Sequence, residues 1–221
     1  MPSKNVVFDI VGTIIGYEKL FEAIETRLGE KLRARCILPK LLGYTWIEVT
    51  EREYTYSSLA GRYKPYTEVF ELMFFRMLWM AGIEQPRDFA TADDLKYILD
   101  EGNKKLGLRP GAGECVQKLR DAGFTVYAFT AGGADNVAGY FEGAGLDWPR
   151  ENIMSTEDVG MSKPELAVYK PVLDKLSKEG QPWFAAAHAW DVSGAREAGF
   201  KSAYCSIWEK EPLTELFGKM D

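Results

Sequence analysis

Val6-Val7-Phe8-Asp9-Ile10-Val11-Gly12-Thr13 decides how the chain is read. Three apolar residues, two of them β-branched, run into an aspartate, and a glycine and a threonine then break the run. The pattern predicts a buried parallel strand that ends in a carboxylate and a turn. Downstream the same grammar returns. Phe124–Phe129 is strand-like and ends at Thr130, Ile153-Met154 is short and apolar, and Trp183–Ala187 and Ser202–Ile207 read as further strands. Helical spacing lies between them, at Val116 and Leu119, over Val137–Ala144, over Leu166–Leu176 and over Ser193–Ala198. Strands alternating with helices imply a parallel sheet covered on both faces, with right-handed crossovers.

Between the first strand and this alternating region the character is helical. Leu20, Phe21, Ile24 and Leu28 mark one helix face, and a second helix is expected over Leu41–Leu59. A third, Thr67–Met80, reads as apolar nearly all round, fit for a cap core or a dimer interface. Ala90-Thr91-Ala92-Asp93-Asp94 resembles an N-terminal cap for a fourth helix, through Leu99. The predicted architecture is therefore an α/β, Rossmann-like core of residues 1–14 and 106–221, interrupted after its first strand by a helical cap of residues 15–105.

Composition narrows the function. The chain has 221 residues, 46% of them hydrophobic, and a formal net charge of −6, enough for one sizeable core and a smaller accessory unit. An acidic chain without a basic run is a poor partner for nucleic acid or an anionic membrane. The three cysteines, Cys36, Cys115 and Cys205, are far apart and form no C-x-x-C pair, as expected of reduced thiols in the cytosol. Met1-Pro2-Ser3-Lys4-Asn5 leads straight into the strand pattern with no leader-like segment, and no apolar run is long enough to span a membrane. The expected partner is a small-molecule substrate and the expected compartment the cytoplasm.

In open α/β sheets ligands bind at the carboxyl ends of the strands, so the polar residues there are the candidates for chemistry. Four groups stand in order: Phe8-Asp9-Ile10-Val11-Gly12-Thr13, Phe129-Thr130-Ala131-Gly132, Ser162-Lys163-Pro164, and Ala189-Trp190-Asp191 followed by Gly194-Ala195-Arg196. A carboxylate displaces a leaving group to form an ester that water then cleaves, provided it is ionised and aimed. A neighbouring lysine, Lys163, would hold its pKa down. Thr13 and Thr130 offer hydroxyl donors, and Asp191 would hold Lys163. His188, the only histidine, lies three residues before Asp191 and suits activation of water against an Asp9 ester or, alternatively, a hydrogen-bonded structural role.

Taken together, these four groups resemble the motifs of the haloacid dehalogenase superfamily, and the resemblance covers essentially the whole chain. Lys163-Pro164-x-x-x-x-Tyr169, Ala189-Trp190-Asp191-x-x-Gly194-Ala195-Arg196 and Tyr44-Thr45-Trp46 are most similar to the (S)-2-haloacid dehalogenases. The resemblance implies Asp9 as a covalent nucleophile supported by Lys163, Asp191, Thr13 and His188. It also implies a substrate pocket that includes Thr130, Ala131, Val11, Tyr169, Leu38 and Trp190, no cofactor, and a homodimer.

Departures matter as much. Phosphatases of the superfamily carry a second aspartate where this chain has Val11, which transfers no proton, and usually a magnesium-ligating aspartate where it has Ala187. No metal is therefore expected. The cap arginine of the dehalogenases falls at Leu38, with Arg33 and Arg35 nearby. Their motif-two asparagine falls at Ala131, and their last-motif serine and asparagine at Ala186 and His188. Three readings follow: a 2-haloacid dehalogenase, a dehalogenase-derived hydrolase or lyase acting on a bulkier apolar substrate, and a binding protein that keeps the fold with altered catalysis.

Overall fold

The computed structural model describes residues 4–220; the reading of Met1–Ser3 as a direct lead into the first strand lies outside them. The chain separates into two compact units. One comprises the residues up to Gly16 together with those from Leu108 onward, and the other is Tyr17–Gly107.

The first unit opens with β1 (Asn5–Phe8), all four residues of which are buried, and a short β2 (Ile15–Gly16). The second unit is helical: α1 (Glu18–Arg33), α2 (Pro39–Leu59), α3 (Tyr66–Met80), the single turn α4 (Pro86–Phe89) and α5 (Ala92–Glu101). After β3 (Gly107–Leu108) the alternating part follows: α6 (Ala112–Asp121), β4 (Thr125–Thr130), α7 (Ala134–Gly143), β5 (Ile153–Ser155), α8 (Leu166–Leu176), β6 (Trp183–Ala186), α9 (Ala189–Ala198), β7 (Lys201–Tyr204) and α10 (Thr214–Phe217).

The main sheet has the order β5-β4-β1-β6-β7, with parallel pairing throughout. β1 is central, with Phe8 opposite Ala128 on one side and Ala185 on the other. After β5 the chain returns to the far side of β1. That reversal gathers the carboxyl ends of β1, β4 and β6 around the residue that follows Phe8, which is Asp9. On one face Val7, Phe129, Tyr169, Phe184, Val192 and Phe200 form a continuous buried cluster. Its aromatic rings meet edge to face: Phe129–Tyr169 at 5.9 Å, Tyr169–Phe184 at 5.7 Å and Phe184–Phe200 at 5.7 Å. The sheet is thereby fixed beneath the site.

In the helical unit Trp46 stacks on Phe70 at 4.1 Å and donates its indole N–H to the Phe70 carbonyl. The cap expected near Thr91 is a reciprocal box: Asp94 N–H donates to Thr91 Oγ1 and Thr91 N–H to Asp94 Oδ2.

On α3 Val69, Phe70, Met73, Phe74, Met77 and Leu78 are buried, while the apolar Leu72, Trp79 and Met80 face outward. Two expectations need correcting. The last strand stops at Tyr204, and only Cys205 N–H carries the ladder on, to Ala186 O. α9 starts at Ala189, well before Ser193, so Asp191 lies in its first turn and not at a strand end. Gly194 does not break this helix. A side chain there would meet Pro164 at 3.0 Å and the Tyr169 hydroxyl at 3.1 Å, so glycine admits close packing against α8.

Candidate active site

The ladder continues one residue beyond β1, where Asp9 N–H donates to Ala185 O at 2.9 Å. The chain then coils tightly, with Thr13, Ile14 and Ile15 all donating to Ile10 O. Gly12 at φ +95° makes this turn possible. The coil brings Thr13 back over the carboxylate, its hydroxyl donating to Asp9 Oδ2 at 2.7 Å. Ala187 N–H donates to the same hydroxyl oxygen at 2.8 Å. A hydroxyl has a single hydrogen, so accepting from Ala187 commits that hydrogen to Asp9.

Lys163 is 1% exposed. Its ammonium donates to Asp9 Oδ1 at 3.0 Å, Asp191 Oδ2 at 2.8 Å and Phe129 O at 2.9 Å. These three acceptors match the three N–H bonds of a protonated amine. Behind Asp191, Tyr169 donates its hydroxyl to Oδ1 at 2.5 Å. His188 is buried with Nδ1 3.5 Å from Asp9 Oδ2. Its ring lies over Gly12, where an added Cβ would stand 2.4 Å from Cε1, and against the indole of Trp190 at 5.2 Å.

The charges in this buried cluster do not balance, since two carboxylates share one ammonium. Burial pushes the Asp9 carboxyl upward, but Lys163, His188 and the Thr13 hydroxyl outweigh it and hold the group well below the carboxylate range. Asp191 goes the other way: burial and the Asp9 charge raise it against the pull of Lys163 and Tyr169. Burial would lower the Lys163 amine, and the two carboxylates more than reverse this. The Tyr169 phenol is raised, by burial first and then by Asp191. Asp9 is thus an ionised carboxylate at neutral pH with both oxygens held.

The structure brings Asp9, Thr13, Lys163, Asp191 and His188 together. Tyr169, expected among the substrate-binding residues, is fully buried and directs its hydroxyl at Asp191, so it stands behind the carboxylate. Thr130 is buried at the end of β4, where its hydroxyl accepts from Gly132 N–H at 3.0 Å and so braces this loop. Val11, Ala131 and Trp190 are half-buried around the strand ends. Leu38 belongs to the helical unit, immediately before α2, and is exposed. Three groups carried no readable signal: the Ala187 amide, the Phe129 carbonyl and Glu209, whose carboxylate accepts from Ala189 N–H at 2.7 Å.

A magnesium ion suits this donor set poorly. Val11 and Ala187 offer no side-chain oxygen, and the Lys163 ammonium already bridges Asp9 and Asp191. Among the described residues no group of three His, Cys, Asp or Glu side chains is placed to hold a metal.

Known proteins resemble the chain over most of its length. (S)-2-Haloacid dehalogenases of Pseudomonas putida and Burkholderia cepacia are 24% and 23% identical to the chain, over 203 and 202 residues. The matches cover 90% of this chain in both cases and 84% and 81% of the relatives. The crystal structure of L-2-haloacid dehalogenase from Xanthobacter autotrophicus superposes with a TM-score of 0.74 at 22% identity, covering 93% of this chain and 78% of that one. The same enzyme with chloropropionic acid covalently bound gives 0.73 at 20% identity, covering 97% and 82%. A family model described as haloacid dehalogenase-like hydrolase matches residues 4–199. The chain belongs to the haloacid dehalogenase-like hydrolase family.

Proposed function

We propose that this protein is a metal-independent hydrolase that substitutes a leaving group at carbon through an ester on Asp9, most like a 2-haloacid dehalogenase. The observation that carries this reading is the setting of Asp9: 6% exposed, with Thr13 donating to one oxygen and the Lys163 ammonium to the other. In the first step an Asp9 oxygen attacks the substrate carbon, and the halide departs with the electron pair of the broken bond. In the second, water adds to the ester carbonyl of Asp9, and His188 takes the proton that this water loses. The bond between Cγ of Asp9 and the oxygen carried by the substrate then breaks, that oxygen takes the remaining hydrogen of the added water and leaves as the alcohol, the carboxylate returns, and His188 releases its proton to solvent. The sum is R–X + H2O giving R–OH, halide and a proton. Lys163 stabilises the negative charge on the Asp9 oxygens throughout, while Asp191 and Tyr169 fix Lys163.

The lack of a proton donor at Val11 favours a leaving group stable as an anion. The apolar Val11 and Ala131 favour a second reading as well, a bulkier and less anionic substrate for the same chemistry. Halide release separates the two. (S)-2-chloropropionate is expected to release chloride without added metal. Release of none, with turnover of apolar activated acids, selects the second reading. Magnesium-dependent turnover of p-nitrophenyl phosphate would contradict both.

The protein is further proposed to be a cytoplasmic homodimer. All three cysteines are free and exposed, no described helix is long and apolar enough to cross a membrane, and Leu72, Trp79 and Met80 leave an apolar strip outside on α3. Sedimentation tests the dimer; a monomer at micromolar concentration would contradict it.

A further inference from the structure

The first turn of α9 carries Asp191 and is preceded by His188, yet it has no ordinary cap. A helix start presents backbone N–H groups that need acceptors, and Ser, Thr, Asp or Asn at the N-cap normally supplies one. Here the N-cap is His188, whose side chain makes no capping bond. Ala189 is fully buried, so its N–H cannot turn to bulk water. The acceptor comes from twenty positions along the chain, Glu209 Oε2 at 2.7 Å, in the loop after β7. That loop is costly backbone: Lys210 and Leu213, neither a glycine, sit at φ +71° and +46°.

Its neighbour completes a circuit. The indole of Trp208 lies against the Arg109 guanidinium at 5.5 Å. Arg109 Nε donates to Gly12 O at 3.0 Å, and Gly12 is the residue on which the His188 ring is seated. Residues 208 and 209 therefore hold two loops at once, the one that follows the nucleophile and the one that starts α9. Any change in this strap alters how the imidazole meets Asp9.

We propose that Glu209 is a positioning residue: by capping α9 from outside, it leaves position 188 to an imidazole and sets that ring over Gly12 and against Asp9. The consequence for turnover rests on the proposed role of His188 in activating water; the placement of the ring does not.

The chain has one histidine, so its ring resonances in the intact protein are unambiguous. In wild type, a nuclear Overhauser cross-peak between His188 Hε1 and the Gly12 α-protons is expected. It should survive in Glu209→Gln, which keeps an acceptor oxygen, and fall at least about twofold in Glu209→Ala. An unchanged cross-peak in folded Glu209→Ala overturns the proposal. Should that variant not fold, Glu209→Asp replaces it. One methylene shorter, it cannot reach Ala189 without moving the strap, and His188 resonances at wild-type positions overturn the proposal. With (S)-2-chloropropionate as probe, Glu209→Ala is expected to form the Asp9 adduct at the wild-type rate but to keep it about tenfold longer. If no variant forms an adduct, the ester chemistry fails while the spectroscopic result still decides the placement.

Discussion

Replacing Lys163 by methionine puts the electrostatic argument to its strongest test. Methionine preserves much of the volume but removes an ammonium that serves Asp9, Asp191 and the Phe129 carbonyl together. Two buried carboxylates then face each other without a cation. Removing one partner of a buried charge pair costs roughly 3–5 kcal/mol, equivalent to about 2–4 pH units on the group left behind at 1.36 kcal/mol per unit. For Asp9 the direction is upward, since burial is its largest perturbation and already opposes ionisation.

Halide release in the first turnover of wild type, which needs Asp9 ionised and does not use His188 as a base, should then stay flat well into acid, because the Asp9 carboxyl lies below the ordinary range. The variant should acquire an acid limb about 2–4 pH units above that of wild type, and the lost charge stabilisation of about 3–5 kcal/mol should cost about 10²–10⁴ in kcat/KM at pH 7. Stability should follow the same sign. A depressed Asp9 contributes stability above its unfolded pKa of about 3.9 and loses it as pH falls through the folded value. In Lys163→Met this contribution is lost, so the gap between the two proteins should widen as pH rises from about 3 to about 7. The assay is a pH series of halide release, paired with denaturant unfolding at each pH. A loss below tenfold with no new acid limb would refute the reasoning.

Other expectations follow from single contacts. Thr13→Val leaves the buried Ala187 N–H without its acceptor and Asp9 without a donor, so stability should fall by about 1–3 kcal/mol in urea unfolding and turnover should fall with it. Gly12→Ala forces a side chain into the left-handed region and against the His188 ring, and should cost about 1–3 kcal/mol in the same measurement while shifting the histidine resonances. The raised Lys163 amine contributes stability that is fully present below its unfolded pKa of about 10.4 and is lost only as pH rises through the folded value. Wild type should therefore lose stability above pH 10 more steeply than Lys163→Met, as thermal melts in that range would show.

Much of this site was legible before any coordinates, because its side chains announce themselves. Asp9 follows the apolar run that becomes β1, while Lys163 before proline lies in the loop after β5 and Asp191 before Gly194 in the helix after β6. The parts that stayed hidden are backbone groups or remote partners. The Ala187 amide and the Phe129 carbonyl belong to residues whose side chains say nothing about the contact. The start of α9 was misplaced for a related reason: His188 is a poor N-cap, and its replacement, Glu209, stands too far along the chain for spacing to reveal. Tyr169 was found by its distance from Lys163, but only the first turn of α9 decides that its hydroxyl meets Asp191. On α3 hydropathy alone cannot separate the buried face from the exposed one, because Leu72, Trp79 and Met80 are as apolar as the core residues beside them.

Covalent chemistry at Asp9 is tested most directly by mass spectrometry in heavy-oxygen water with protein in excess over (S)-2-chloropropionate. Digestion should place an oxygen-18 atom on the peptide that contains Asp9, and unlabelled oxygen should appear in the first 2-hydroxypropionate formed. Label in the product, with none on that peptide, would mean that water attacks the substrate directly and that Asp9 is not the nucleophile.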